Sequence, residues 1–202
     1  TSQPKGVMLS HGNLMHNLKA IRRGFQIGED AVGVFWLPSY HDMGLIGGIL
    51  EPMYVNGPST LMSPVSFLQR PFRWLEAISQ YKGTISGAPN FAYDLCVDKI
   101  TPEQMDTLDL SSWKLAFCGA EPIRPETLER FAQTFERCGF RKSSFYPCFG
   151  MAESTLIVSG GEGPSEPRVL NIDRKSLERD LVVPVSPAND NSLSMVSCGK
   201  SI

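Results

Sequence analysis

Residues 114–146 read KLAFCGAEPIRPETLERFAQTFERCGFRKSSFY, and this stretch decides the fold class. Lys114 to Cys118 is a short, mostly apolar run of strand type that stops at Gly119. Pro125 suits the first turn of a helix, where its missing N–H would have had no partner in any case. Leu128, Phe131, Ala132 and Phe135 then recur at helical spacing as one inner face, and Gly139 ends the run. Ser144-Phe145-Tyr146 resumes as a strand. Strand, helix and strand in so short a span form a βαβ unit, whose strands lie parallel because the helix carries the chain back.

The same alternation extends outward from Lys5 to about Gly161. Val7-Met8-Leu9 reads as a strand, and Ser10 as the N-cap of a helix with Leu14, Leu18, Ile21 and Phe25 on one face, stopped by Gly24 or Gly28. Val32 to Leu37 is a strand ended by Pro38. Met43 to Leu50 is an apolar helix with three internal glycines. Thr60 to Met62 and Gly83 to Ser86 read as strands. Pro71 opens a helix that buries Phe72, Leu75 and Ile78, and Phe91, Ala92 and Leu95 mark another. The expected fold is α/β, a largely parallel sheet flanked by helices over residues 1–161. After Gly160-Gly161 the chain turns charged, Pro-rich and polar, so residues 162–202 read as an insertion and a return towards a further sheet or barrel.

The 202 residues are 42% hydrophobic and 20% charged, enough for one sizeable core. A formal net charge of -2 without clustered Lys and Arg argues against nucleic acid as a partner. The five cysteines, Cys96, Cys118, Cys138, Cys148 and Cys198, form no CxxC unit, which points to reduced thiols and a cytoplasmic setting. No apolar run is long enough to span a bilayer. Thr1 at one end and Gly199-Lys200-Ser201-Ile202 at the other make both ends read as cut.

In an open α/β sheet, ligands bind beyond the carboxyl ends of the strands. Three loops there carry chemistry: Gly119-Ala120-Glu121-Pro122, Phe149-Gly150-Met151-Ala152-Glu153, and Tyr40-His41-Asp42-Met43-Gly44. Small residues in the first let a flat ring approach the backbone. The second sets an aromatic, a glycine and a carboxylate close together, suited to a stacked base and a hydrated Mg²⁺. Each loop alone has a bland reading: Gly-Ala as a tight turn, Glu153 as a solvated carboxylate, His41 as a hydrogen-bonded structural residue. His11 and His16 read as surface residues, and the Leu45-Ile46 and Ile49-Leu50 stripe as core unless its glycines open a groove.

In order, the loops resemble the acyl-adenylate-forming superfamily. Thr1-Ser2-Gln3-Pro4-Lys5-Gly6 resembles the second half of its phosphate loop, Gly119 to Pro122 its adenine turn, and Phe149 to Glu153 its aromatic-Gly-x-Thr-Glu element, with Ala152 where Thr is usual. Trp36 to Gly48, Phe67 to Pro71, Pro89 to Cys96 and Phe145 to Gly150 are similar to the fatty acyl-AMP ligases, and residues 162–195 resemble that subgroup's insertion. The resemblance implies ATP and Mg²⁺ as cofactors, a fatty acid as substrate and the phosphopantetheine arm of an acyl carrier protein as acceptor, in the same polypeptide or another. It implies Thr1, Ser2 and Lys5 at the phosphates, with Lys5 and His41 catalytic. Gly119, Ala120, Glu121, Pro122, Phe149, Gly150 and Met151 would surround the nucleotide, Glu153 would hold Mg²⁺, and Gly44, Gly47 and Gly48 would border the acyl chain. An acyl-CoA ligase of the same superfamily and a noncatalytic nucleotide- or acyl-binding module stay open as alternatives. The ribose-gripping Asp, the hinge and the C-terminal lysine of the family have no counterpart in residues 1–202, so this chain alone is expected to adenylate little or nothing.

Overall fold

The computed structural model describes residues 6–202. Helix α1 (His11–Gly24) begins at the expected cap: Ser10 Oγ accepts from Asn13 N, and Asn13 Oδ1 accepts from Ser10 N. Strand β1 (Gly33–Phe35) leads through the His41 loop into a π-helix (Met43–Leu50), followed by α2 (Glu51–Val55) and β2 (Ser59–Leu61). Helices α3 (Pro64–Gln69) and α4 (Phe72–Tyr81) precede β3 (Ile85–Gly87), and α5 (Asn90–Lys99) and α6 (Pro102–Met105) precede β4 (Leu115–Cys118). Helix α7 (Pro125–Phe135) carries the chain to β5 (Phe145–Pro147). The four residues expected on its inner face are all buried.

These five strands form one parallel sheet in the order β2-β1-β3-β4-β5. The chain steps from β1 to one neighbour and later returns to the other side of it. The gap between β1 and β3 is therefore the topological switch point, where such sheets leave a crevice at the carboxyl ends of their strands. Side chains alternate across the sheet with period two. Val34, Trp36, Ala116, Cys118 and Phe145 face α4, α5 and α7, in a core dominated by Trp74, Tyr93, Trp113 and Phe131. Phe35, Leu115, Phe117 and Tyr146 face α1 and the π-helix. On the first face Trp74 is fully buried, and its indole N–H donates to Ser86 Oγ at 2.7 Å, so the large ring leaves no polar group unsatisfied.

A second, three-stranded sheet follows, formed by β6 (Phe149–Gly150), β7 (Ile157–Gly160) and β10 (Lys200–Ser201). Between β7 and β10 the chain makes an antiparallel pair, β8 (Val169–Asp173) and β9 (Ser192–Val196), with the short α8 (Arg174–Leu177) after β8.

Two expectations need correction. Val7, Met8 and Leu9 form no strand, and Met8 is 98% exposed. No described strand pairs with this segment, and an extended run without a ladder partner must leave its backbone groups to water. The Met43–Leu50 run is helical but wound as a π-helix rather than an α-helix. Gly44 shows the crowding there, since a Cβ on it would lie 2.1 Å from the Pro38 carbonyl oxygen. Among the described residues no helix is long and apolar enough to cross a membrane, and none of the cysteines is in a disulfide.

Candidate functional site

A cavity of about 200 Å³ opens beside the switch point. Its mouth is made by His41 and Asp42 after β1, Gly119 and Ala120 after β4, and Phe149 and Gly150 in β6. Phe35 of β1, Ile85 of β3 and Phe117 of β4 line one wall, and Ile21 and Phe25 of α1 another. The π-helix contributes Met43 and Gly47. The result is a mostly apolar slot along the sheet face with polar groups at the opening, the usual arrangement of a small-molecule site.

The structure therefore brings the three sequence-read loops together. Gly119, Ala120, Phe149, Gly150, His41 and Gly47 share one cavity, whereas Glu121, Pro122, Met151 and Glu153 lie outside its wall and are exposed. Gly44 and Gly48 do not line it either: Gly44 packs beneath Pro38, and Gly48 rests against the Phe35 ring. Thr1, Ser2 and Lys5 lie outside the described residues.

Backbone geometry is unusual at two of the loops. Ala120 has φ of +69°, a left-handed conformation that a side chain disfavours, and it sits where Gly119 and Ala120 turn past the mouth. Thr155 has φ of +76°, and Leu156 N donates to Ser154 O at 3.0 Å, a γ-turn of the rare positive-φ kind. Strain of this sort persists where surrounding structure over-determines it, and it clusters at functional loops.

Two asparagines that the sequence reading did not single out hold these loops. Asn90 Nδ2 donates to Pro122 O at 3.0 Å and its Oδ1 accepts from Arg124 N, pinning the turn after β4. Asn17 is buried in α1; its Nδ2 donates to Ile157 O at 2.9 Å and its Oδ1 accepts from Ile157 N at 3.0 Å. The signal was present, because Asn17 falls on the face shared by Leu14, Leu18 and Ile21, where a polar residue needs partners. Asn17→Ala leaves those backbone groups unsatisfied and is expected to cost about 2 kcal/mol in urea denaturation, loosening the β6–β7 hairpin with it.

His41 is exposed, with Nδ1 2.7 Å from Asp42 Oδ1. Met43 N donates to the same carboxylate oxygen at 2.7 Å and also to His41 Nδ1 at 3.2 Å. Both groups thus hold Nδ1 against the start of the π-helix, and Nε2 makes no hydrogen bond among the described residues. The two thiols nearest the mouth are chemically quiet, since burial pushes Cys148 up to about 12 and Cys118 up as well.

The model of the family described as AMP-binding enzyme matches residues 1–178. The chain belongs to the AMP-binding enzyme family. Among AMP-binding enzymes it is 46% identical, over its whole length, to a medium-chain-fatty-acid–[acyl-carrier-protein] ligase, TtuA, of Teredinibacter turnerae, and covers 31% of that protein. It is likewise 46% identical over its whole length to the ligase of the same description, JamA, of Moorena producens, covering 34% of it. Its fold superposes with a TM-score of 0.94 on a fatty acyl-adenylate ligase from L. pneumophila solved with acyl adenylate and pyrophosphate; that protein is 49% identical, with 98% of this chain and 35% of the other covered. The chain thus spans about a third of the length of these AMP-binding enzymes.

Proposed function

We propose that this chain forms the nucleotide- and acyl-binding part of a fatty acyl-AMP ligase. The observation that carries this reading is the apolar slot opening between Gly119–Ala120, Phe149–Gly150 and His41 at the carboxyl ends of parallel strands. A hydrocarbon chain fits its walls, and the mouth is where the acid's carboxylate would meet a nucleotide. In the proposed reaction a carboxylate oxygen attacks the α-phosphorus of ATP, an acyl–phosphate bond forms, and pyrophosphate leaves. Both reactants are anionic, so positioning and charge neutralisation supply most of the catalysis.

Gly119 to Pro122 flank the adenine in this reading, with Phe149, Gly150 and Met151 beside it, and His41 stands at the carboxylate. Thr1, Ser2 and Lys5 meet the phosphates. The described residues contain no cluster of three or more His, Cys, Asp or Glu side chains. Mg²⁺ commonly takes one or two carboxylates plus phosphate and water, and in this reading the exposed Glu153, three residues after Gly150, would be such a carboxylate. When bound, the ion shields phosphate charge. The phosphopantetheine thiol of an acyl carrier protein then attacks the acyl carbonyl, forming a thioester as the acyl–phosphate bond breaks and AMP leaves, as in polyketide assembly, in the cytoplasm.

The test is pyrophosphate exchange by the full-length protein with fatty acids, followed by product analysis with a carrier protein and with coenzyme A. Fatty-acid-dependent exchange and acyl transfer to the carrier protein are expected; robust acyl-CoA formation would favour a coenzyme A ligase instead. Glu153→Ala should raise the Mg²⁺ concentration needed for half-maximal exchange by about tenfold. An unchanged Mg²⁺ dependence would remove Glu153 from the metal site.

A further inference from the structure

The floor of the cavity holds a carboxyl group that nothing above uses. Glu51 lines the slot together with Pro52, Val55, Gly57 and Pro58, near Ala31 at the amino end of β1. It is 3% exposed, and neither carboxyl oxygen has a hydrogen-bond partner among the described residues. Arg22 on α1 acts on it as an opposite charge, yet the two form no ion pair. An unpartnered buried carboxyl is costly, so its retention here calls for a partner.

The position along the slot says what that partner would be. His41 is at the mouth, and the π-helix after it carries the chain down to Glu51, a descent of less than about 15 Å, the length ten residues would have at the steeper α-helical rise. Strand β4 gives a similar depth: Ile85 pairs with Leu115, so the slot reaches from that level to Gly119, or about 13 Å at strand rise. Glu51 is therefore at the far end from the reacting carboxylate. It is also the one ionisable side chain among the described residues lining that end, His41, Asp42 and Cys148 being placed towards the mouth.

We infer that Glu51 selects an acyl chain bearing a hydroxyl group at or near its distal end, by hydrogen bonding to that hydroxyl at the floor of the slot. The inference rests on the adenylation reading for the orientation of the chain, carboxylate at the mouth. Burial holds the Glu51 carboxyl protonated well above the ordinary carboxylate range, and in that form it can both donate and accept. A hydroxyl satisfies such a group without bringing charge into an apolar slot; a plain methyl end leaves it unpaired.

The experiment compares saturated fatty acids with their ω-hydroxy counterparts of equal length, using the full-length protein, by kcat/KM for pyrophosphate release. At the length that fits best, the hydroxy acid is expected to be preferred by about tenfold or more, as for other sites that bond a substrate hydroxyl. Glu51→Gln should keep the preference, because an amide also donates and accepts; Glu51→Leu should reverse it. Thermal stabilisation of the same proteins by the acids without ATP provides a second reading that needs no catalysis. If adenylation fails but the hydroxy acid still stabilises wild type more than Glu51→Leu, the adenylation reading falls and the floor contact stands. Equal preference in wild type and Glu51→Leu, by both measurements and at every length, overturns the inference.

Discussion

Replacing Glu51 by Gln is expected to stabilise the protein by an amount that grows with pH. Burial raises the Glu51 carboxyl from 4.5 to about 8, against a weaker lowering by Arg22. Below about pH 4.5 the group is protonated folded and unfolded, and the two proteins should be equally stable. Between that pH and about 8, the unfolded wild type gives up a proton that the folded form keeps, so wild-type stability falls as pH rises. Above about 8 the loss is complete. The full span at about 1.4 kcal/mol per pH unit would approach ~5 kcal/mol. Solvent reaching the open slot screens part of this, and a gain of about 2–3 kcal/mol is expected above pH 8. Urea denaturation of both proteins across this pH range is the measurement. A gain that is constant with pH would mean that Glu51 is ionised or partnered in the folded state.

Gly150→Ala is expected to lower acyl-adenylate formation by the full-length protein about a hundredfold while the parallel sheet stays folded. A Cβ at Gly150 would lie 2.2 Å from the Leu156 carbonyl oxygen, a backbone atom that cannot rotate away. The β6–β7 hairpin must then shift, and Met151 N donates to that same Leu156 oxygen at 2.8 Å, so the segment from Phe149 to Glu153 moves with it. None of the five parallel strands includes Gly150, so far-ultraviolet circular dichroism should change little. Undiminished activity would count against the proposed place of Phe149 to Glu153 beside the nucleotide.

The elements built from local signals were legible in advance. Ser10 caps a helix because its side chain reaches an amide three residues on, and Leu128, Phe131, Ala132 and Phe135 bury one helical face because their spacing puts them there. The loops around Gly119, Phe149 and His41 could be nominated because each follows a recognisable strand or its proline stop. Val7 to Leu9 misled for the opposite reason: an apolar triplet has strand character, but a strand exists only where a neighbour supplies a ladder. The three glycines after Met43 were read as one groove, yet only Gly47 reaches the slot. The π-helix rotates successive residues differently from an α-helix, and helical spacing alone does not reveal that winding.

Asn17 and Glu51 show where reading the chain stops. Asn17 lies on an apolar helix face and was passed over, because its partners at Ser154 and Ile157 are far away in sequence, and only folding brings them within 3.3 Å. Glu51 carried no signal in the sequence, and its isolation became visible only in the folded chain, where it lines the slot with neither carboxyl oxygen partnered.

By itself, then, the sequence determined the alternation of strands and helices, the parallel sheet and three loops that the fold gathers at one cavity, because caps, turns and periodic apolar faces act over a few residues. The tertiary structure decided which residues share the slot, how deep it runs and which carboxyl waits at its floor, because burial and the pairing of polar groups depend on segments that the chain joins only by folding.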